Sequence, residues 1–369
     1  MTVQELVKSK GLKWVFPRGN PKSLVWIVGE APGLDEEQLG FSFVGASGKE
    51  QNRMLEEVGL DPNRLYFTNP YKIKPPHNKM ELFETLGIPK RLFEEDFLTE
   101  LRQYQPRIIV TVGETPSQYL CPDTIPRKKS SGYIHNWMGS LLRSPFLGWD
   151  HYVIPNLHPA YILRDWSERV VAKLVYAKAL EEENYFLRYG NLQSLPRREI
   201  KFKLSGEELL NELSLIKTGS QVSFDIEMLK RRFPYTISFA VSPYRAVAFK
   251  LWNHGNHGPR LLREMHRILS GCRLIGQNCT VFDIPWLDSC GFQCNVQETQ
   301  DVMIRHHVRW PELKHRLAFT TMQYTREPYY KDDGKSWSAK DSINQLLLYN
   351  GKDACVTFEI FLEQEEEWS

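Results

Sequence analysis

Two α/β domains in tandem are predicted for this chain, the first on a parallel sheet and the second on a mixed sheet. Three observations predict them. The chain has 369 residues, too many for one ordinary domain and suited to two. In the first half, short apolar runs alternate with helical patterns, as in a parallel sheet covered by helices on both faces. In the second half a helix, a strand, a hairpin, another strand and further helices follow in turn, an order that suits a mixed sheet.

LVWIVG (24–29) reads as a buried strand that runs into the turn EAPG. GKEQNRMLEEVGL follows as a helix, LYFTNP as a strand, FLTELRQYQ as a helix and RIIVTVG as another buried strand. A basic loop, the strand HYVIPNLHP and a helix from about Ser167 to Tyr189 complete this half. The segment NLQSLPRREIKFK (191–203) is polar, basic and proline-containing, so the domain seam is placed there. The expected division is 1–192, a linker at 193–203, and 204–369. Beyond the seam, Ser205 is a helix N-cap with acids in the first turn that follows. QVSFDIEM is a strand, PYTISFAVSP and RAVAFKL form a hairpin, and CRLIGQN is a further strand. The halves share no repeat, so they are a fusion and not a duplication.

A net charge of +2 excludes a global basic field. The local runs Arg127-Lys128-Lys129, Arg197-Arg198 and Lys230-Arg231-Arg232 read as solvated loops or as phosphate contacts. Six cysteines form no CxxC pair and read as reduced core thiols of a cytosolic protein. A zinc site built from Cys290, Cys294, His306 and His307 is the alternative. No apolar run is long enough to span a bilayer, so no membrane partner is expected.

Asp225 and Glu227 lie two apart in VSFDIEM. Alternate residues of a strand share a face, so these carboxylates converge while Phe224 and Ile226 turn into the core. Two such acids repel unless a cation neutralises them, and oxygen ligands favour Mg²⁺ or Mn²⁺. An exposed acidic strand end is the plain alternative. GQNCTVFDIPWL adds Asp283, in the first turn of a helix. LLLYNGKDACVTFEIF adds Asp353, with Tyr349 one turn earlier on the same face. A carboxylate on an apolar helix is costly unless it binds metal, and a tyrosine beside it can hold a water.

In this order, Asp225-x-Glu227, GQN-xxx-FD ending at Asp283, and Tyr349-xxx-Asp353 resemble the three exonuclease motifs of the DEDD superfamily. The tyrosine marks the DEDDy branch, as in the proofreading domain of family A DNA polymerases. The resemblance covers roughly residues 200–369 and implies a ribonuclease H-like fold. It also implies two-metal hydrolysis that releases nucleoside monophosphates from a DNA 3′ end. By that resemblance Asp225 bridges two Mg²⁺ or Mn²⁺ ions, and Glu227 and Asp353 complete the nucleophile side. Asp283 holds the other ion, partly through water, and Tyr349 orients the attacking water. Asn278, in GQN, supports either the fold or the nucleotide.

In the first half Glu30, Asn69 and His158 follow three different strands, so they are expected to converge at one edge of the sheet. GEAPG with the acids after it, FSFVG, the Asn-containing strand, KPP and HPAYILR together resemble the family 4 branch of the uracil-DNA glycosylase superfamily. They cover about residues 20–185. The resemblance implies a three-layer glycosylase-like domain that binds DNA by base flipping. It implies that Phe43 stacks on the base and that Asn69 reads its Watson–Crick edge. Glu30 would position a water at the sugar C1′, His158 would stabilise charge on the uracil O2, and Arg164 would wedge into the duplex. Members of that family hold an iron–sulfur cluster on four cysteines, a pair near the N-terminus and one in a KCRPP-like segment. Here residues 1–30 have no cysteine and Ile73 stands in KIKPP, so no iron–sulfur cluster is expected.

The leading expectation is a metal-dependent 3′→5′ DNA exonuclease with an appended glycosylase-like DNA-binding domain. The arrangement resembles the N-terminal part of some phage family A polymerases. It implies a DNA polymerase domain or subunit as partner and a cytoplasmic location, in the host if phage-encoded. Two alternatives stay open: uracil repair with accessory trimming, or a first half that only docks DNA or a partner.

Overall fold

The computed structural model describes residues 2–125, 134–229, 233–338 and 341–369. The basic runs Arg127-Lys128-Lys129 and Lys230-Arg231-Arg232 lie outside them. The chain divides into two compact units, Met1–Ser194 and Leu195–Ser369.

The first unit carries β1 (Arg18–Gly19), β2 (Val25–Val28), β3 (Tyr66–Thr68), β4 (Ile108–Val112) and β5 (Tyr152–Asn156). Their order is β1-β3-β2-β4-β5. All neighbours are parallel except β1, which runs antiparallel to β3 at the edge. β2, β4 and β5 are buried along their whole length, the pattern expected of strands covered on both faces. Around them lie α1 (Val3–Ser9), α2 (Leu34–Leu39), α3 (Ala46–Glu57), α4 (Lys90–Tyr104), α5 (Pro159–Ile162) and α6 (Arg169–Tyr189). The helix expected from Ser167 opens instead as a 3₁₀ turn, Trp166–Glu168, and becomes α-helical at Arg169. Because β3 and β4 flank β2 on opposite sides, successive connections leave β2 in opposite directions. Such a reversal opens a crevice at the carboxyl ends of the strands.

The second unit carries β6 (Glu199–Lys201), β7 (Gln221–Leu229), β8 (Phe233–Ser242), β9 (Arg245–Lys250), β10 (Arg273–Gly276) and β11 (Gln300–Asp301). Their order is β11-β10-β7-β8-β9-β6. β7, β8 and β9 are antiparallel, while β10 and β6 pair in parallel with β7 and β9. The helices that matter here are α7 (Gly206–Ser214), α8 (Gly258–Gly271), α9 (Asp283–Ser289), α10 (Val302–Arg309), α11 (Lys331–Ser336) and α12 (Ile343–Trp368). α7 starts in a reciprocal cap: Ser205 accepts from the Glu208 N–H while Glu208 accepts from the Ser205 N–H. One apolar core packs Phe224 and Ile226 of β7 against Leu261, Met265 and Ile268 of α8. On the other face, Ala354 and Cys355 of α12 meet Ala240 and Ala246, small side chains that let the long helix lie close to the sheet.

Two expectations change. The seam segment 193–203 is not all linker, because Glu199–Lys201 is an edge strand paired with β9. Arg198 is neither solvated nor offered to phosphate; its side chain is buried and paired with Glu327, at 2.9 Å, and with Glu359. All six cysteines are free thiols. Cys290 and Cys294 pack against the apolar core, and His306 bonds to His315 and Gln323, so the zinc alternative gains no support. Among the described residues no helix is long and apolar enough to cross a membrane.

Candidate active sites

In the second unit β7 alternates as its sequence requires. Phe224 and Ile226 are buried in the core, while Asp225 and Glu227 are half-buried on the opposite face. The pairing of β7 with β8 shifts register between Glu227 and Met228, just beyond the second acid. α12 brings Asp353 to the same place, so that carboxylate oxygens of Asp225, Glu227 and Asp353 all lie within 4.8 Å of one another. Among the described residues this is the one such group of metal-ligating side chains. Burial, followed by the charge of Asp353, pushes Glu227 up to about 8. Burial first, then Asp353, Glu227 and Asp283, hold Asp225 well above the usual carboxylate range. Three mutually repelling carboxylates with hard oxygen donors fit a divalent cation.

Asp283 stands outside the trio. It opens α9, accepts from the Ile226 N–H at 3.1 Å, and is raised to about 7, mainly by burial. Tyr349 lies one turn before Asp353 on α12, and burial raises its phenol far above its ordinary value. Asn278 adopts a left-handed backbone (φ 58°) and its N–H donates to Asp301 Oδ1 at 2.9 Å. Asp301 also accepts from Thr280, so it braces the whole GQN turn.

Three residues at this site escaped the sequence reading. Asn350 donates to Asp225, Tyr330 donates to Asp353 Oδ1 at 2.6 Å, and Lys331 pairs with Asp353 Oδ2. Asn350 sits three residues before Asp353, and that helical spacing is the signal that could have found it.

In the first unit Glu30, Phe43, Asn69, His158 and Arg164 line one cavity of about 340 Å³, with Glu36, Asn78 and Met80. That volume falls within the range of roughly 300–1,000 Å³ typical of small-molecule sites. Glu30 lies two residues past β2, Asn69 follows β3, and His158 lies two residues past β5. The sheet topology thus brings all three to the crevice. Phe43 is held in a left-handed backbone (φ 57°) against Phe67. Asn69 is buried and donates to Ser42 Oγ at 3.2 Å. Gly29 makes the approach feasible: a Cβ there would meet Asn69 Oδ1 at 2.4 Å and the Phe43 ring at 2.8 Å. Glu36 clamps the EAPG turn by accepting from the N–H groups of Gly33 and Gly45.

His158 Nδ1 accepts from the Ala160 N–H at 3.1 Å, which puts the ring proton on Nε2. Burial, helped by Arg164, lowers its pKa to about 4, so the ring is a neutral donor near pH 7. Burial raises Glu30, with partial relief from Thr115 and Lys90.

The surroundings of Ile73 do not fit an iron–sulfur cluster. Ile73 is packed among Val7, Tyr71, Phe83, Ile88 and Phe93 in an apolar cluster. Cys121 is the one cysteine of the first 194 residues, too few thiolates for a cluster.

Residues 16–182 match the model of the uracil-DNA glycosylase superfamily, and residues 204–367 match that of a 3′-5′ exonuclease. The chain is similar to the type-4 uracil-DNA glycosylase of Saccharolobus solfataricus, 31% identical over 44% of this chain and 73% of that protein. It is also similar to the type-4 uracil-DNA glycosylase of Archaeoglobus fulgidus, 34% identical over 39% of this chain and 69% of that protein. Among solved structures, the catalytic core of RRP6 from Trypanosoma brucei is 13% identical with a TM-score of 0.37. That match covers 47% of this chain and 49% of that structure, about half its length. The chain belongs to the uracil-DNA glycosylase superfamily through residues 16–182 and carries, in the same polypeptide, a 3′-5′ exonuclease domain at residues 204–367.

Proposed function

We propose that the second unit trims DNA from its 3′ end as a proofreading-type exonuclease, working with a family A DNA polymerase of phage type. The observation that carries this reading is the convergence of Asp225, Glu227 and Asp353 within 4.8 Å. Asp225, Glu227 and Asp353 would hold Mg²⁺ or Mn²⁺, with Asp283, held by the Ile226 N–H, contributing beside them. The chemistry such ions supply when bound is activation of the attacking water and stabilisation of the leaving oxygen. Tyr349 orients that water, and Asn350 fixes the Asp225 carboxylate. A 5′-labelled strand incubated with Mg²⁺ or Mn²⁺ tests the reading: laddering is expected from the parent and not from Asp225→Ala. Laddering that survives this substitution removes the assignment.

We further propose that the first unit binds DNA by taking an extruded uracil into its 340 Å³ cavity. Extrusion costs a few kcal/mol, offset by stacking on Phe43 and by hydrogen bonds to Asn69. A second reading, active excision, is favoured by one observation: His158 offers an Nε2–H donor in the cavity that also holds Glu30. There Glu30 orients a water at C1′ and the His158 donor stabilises charge developing on the departing base. A uracil-containing oligonucleotide followed by alkali separates the two. A strand break that disappears in Glu30→Ala supports excision, and binding without breakage supports docking alone.

A further inference from the structure

The short helix α11 begins at the carboxylates. Lys331 Nζ lies 2.5 Å from Asp353 Oδ2, and the Tyr330 hydroxyl donates to Oδ1 at 2.6 Å, so both oxygens of Asp353 are engaged. The same ammonium sits 4.5 Å from the centre of the Tyr349 ring. Its charge also acts on Asp225 and Glu227. One turn further along, Gly334 rests against the Tyr349 ring so closely that a Cβ would meet its Cζ at 2.4 Å. α11 therefore covers the tyrosine and plugs the carboxylate trio with a single positive charge.

A divalent ion entering the trio needs an oxygen of Asp353 and brings two positive charges into the same crevice. The ammonium and the ion repel, and both use the lone pairs of Asp353 Oδ2. We propose that Lys331 is a built-in counter-cation: it holds the carboxylates together before metal arrives and leaves Asp353 when metal binds, so that α11 is a lid whose seat over Tyr349 depends on the metal. The proposal rests on the reading of this unit as a metal-dependent nuclease. It adds a positioning residue and a movement that the reading does not contain.

The test is Mn²⁺ binding to the full chain by calorimetry, with hydrogen exchange of the 331–336 amides in parallel. Lys331→Met keeps most of the length of the side chain but removes the charge. Lys331→Arg keeps the charge. Loss of the competitor is expected to tighten Mn²⁺ binding about tenfold in Lys331→Met. The same variant melts at lower temperature in chelator, where its carboxylates lack a counterion, and Lys331→Arg behaves as the parent does. In the parent, Mn²⁺ speeds exchange of the 331–336 amides. If Lys331→Met fails to fold, Lys331→Gln is titrated in its place. Mn²⁺ binding by the neutral variant that is equal to the parent's, or weaker, overturns the proposal. A parent that binds Mn²⁺ and ladders a 5′-labelled strand keeps the nuclease reading even then. A parent that does neither overturns both.

Discussion

Asn350 grips Asp225 at two points, donating from its amide nitrogen to Oδ2 at 2.6 Å and to the main-chain oxygen at 3.1 Å. The Asp225 carboxylate, proposed to hold metal, is thus aimed by a neighbour on a different element. Partners of this kind are commonly worth about 10–100-fold in metal affinity or activity. Asn350→Ala is expected to slow 3′ trimming by about that factor. Single-turnover kinetics on a labelled strand is the measurement, and an unchanged rate would show that Asp225 needs no anchor.

Gly29 is expected to be indispensable to the first cavity. A methyl group there lands 2.4 Å from Asn69 Oδ1, so Asn69 or the Phe43 ring must move. Gly29→Ala should therefore lose affinity for uracil-containing DNA while leaving the 3′ trimming rate intact. Gel-shift titration against matched uracil and thymine strands reads the first effect, and retained uracil preference would refute it.

The apolar cluster around Ile73 is expected to stabilise the first unit without iron. Ile73 is 1% exposed, and truncating a buried isoleucine to alanine costs about 2–5 kcal/mol. Ile73→Ala should lower the denaturant midpoint of this unit accordingly, whereas a chelator should not shift it in the parent. A visible absorbance band from bound iron, or destabilisation by the chelator, would contradict the packing argument.

The parts of the molecule legible in sequence were those with a period. Asp225 and Glu227 stand two apart on a strand, and Tyr349 and Asp353 stand four apart on a helix, so each pair declares a shared face. The strand ends that carry Glu30, Asn69 and His158 were legible because parallel strands align their carboxyl ends. What stayed hidden depends on partners far along the chain. Lys331 lies 22 residues before Asp353 in a helix of six residues with no apolar stripe to announce it. Arg198 looked like a solvated charge beside Arg197, yet it pairs with acids 129 and 161 residues away. Glu199–Lys201 looked like linker because three residues are too few to show alternation, and β9 supplies the pairing that makes them a strand.

His158 sets a pH dependence whose sign follows from its environment. Its pKa falls from 6.5 to about 4 on folding, because burial opposes the charged ring. Between those values the unfolded chain binds a proton that the folded one refuses. Stability of the first unit should thus be flat above pH 6.5 and decline as pH drops toward 4, by up to about 3 kcal/mol. Denaturant titrations across that window measure it, and His158→Asn should flatten the slope. A slope that is the same in both proteins would mean that other groups govern the acid side.

Gly334 should govern how α11 seats on Tyr349 in the metal-free protein. A Cβ at that position would lie 2.4–2.7 Å from three atoms of the Tyr349 ring, closer than real contacts allow. The ring is rigid and α11 is short, so Gly334→Ala must displace one against the other. A lid that metal releases is then already lifted by the methyl group. Gly334→Ala is expected to speed exchange of the 331–336 amides in chelator, toward the rate that Mn²⁺ gives the parent. Mn²⁺ affinity should not weaken, because Asp225 keeps its Asn350 anchor and the Lys331 contact on Asp353 is the one that metal is proposed to displace. Tyr349→Phe is the companion variant, since it removes the hydroxyl and leaves the ring. Misplacing a group that orients the attacking water can cost about a hundredfold in rate, so Tyr349→Phe should lower kcat by about that much while its exchange in chelator stays that of the parent. If Tyr349→Phe kept its kcat, the hydroxyl would have no part in holding the water. If Gly334→Ala left exchange in chelator unchanged, the contact between Gly334 and Tyr349 would not be what seats α11.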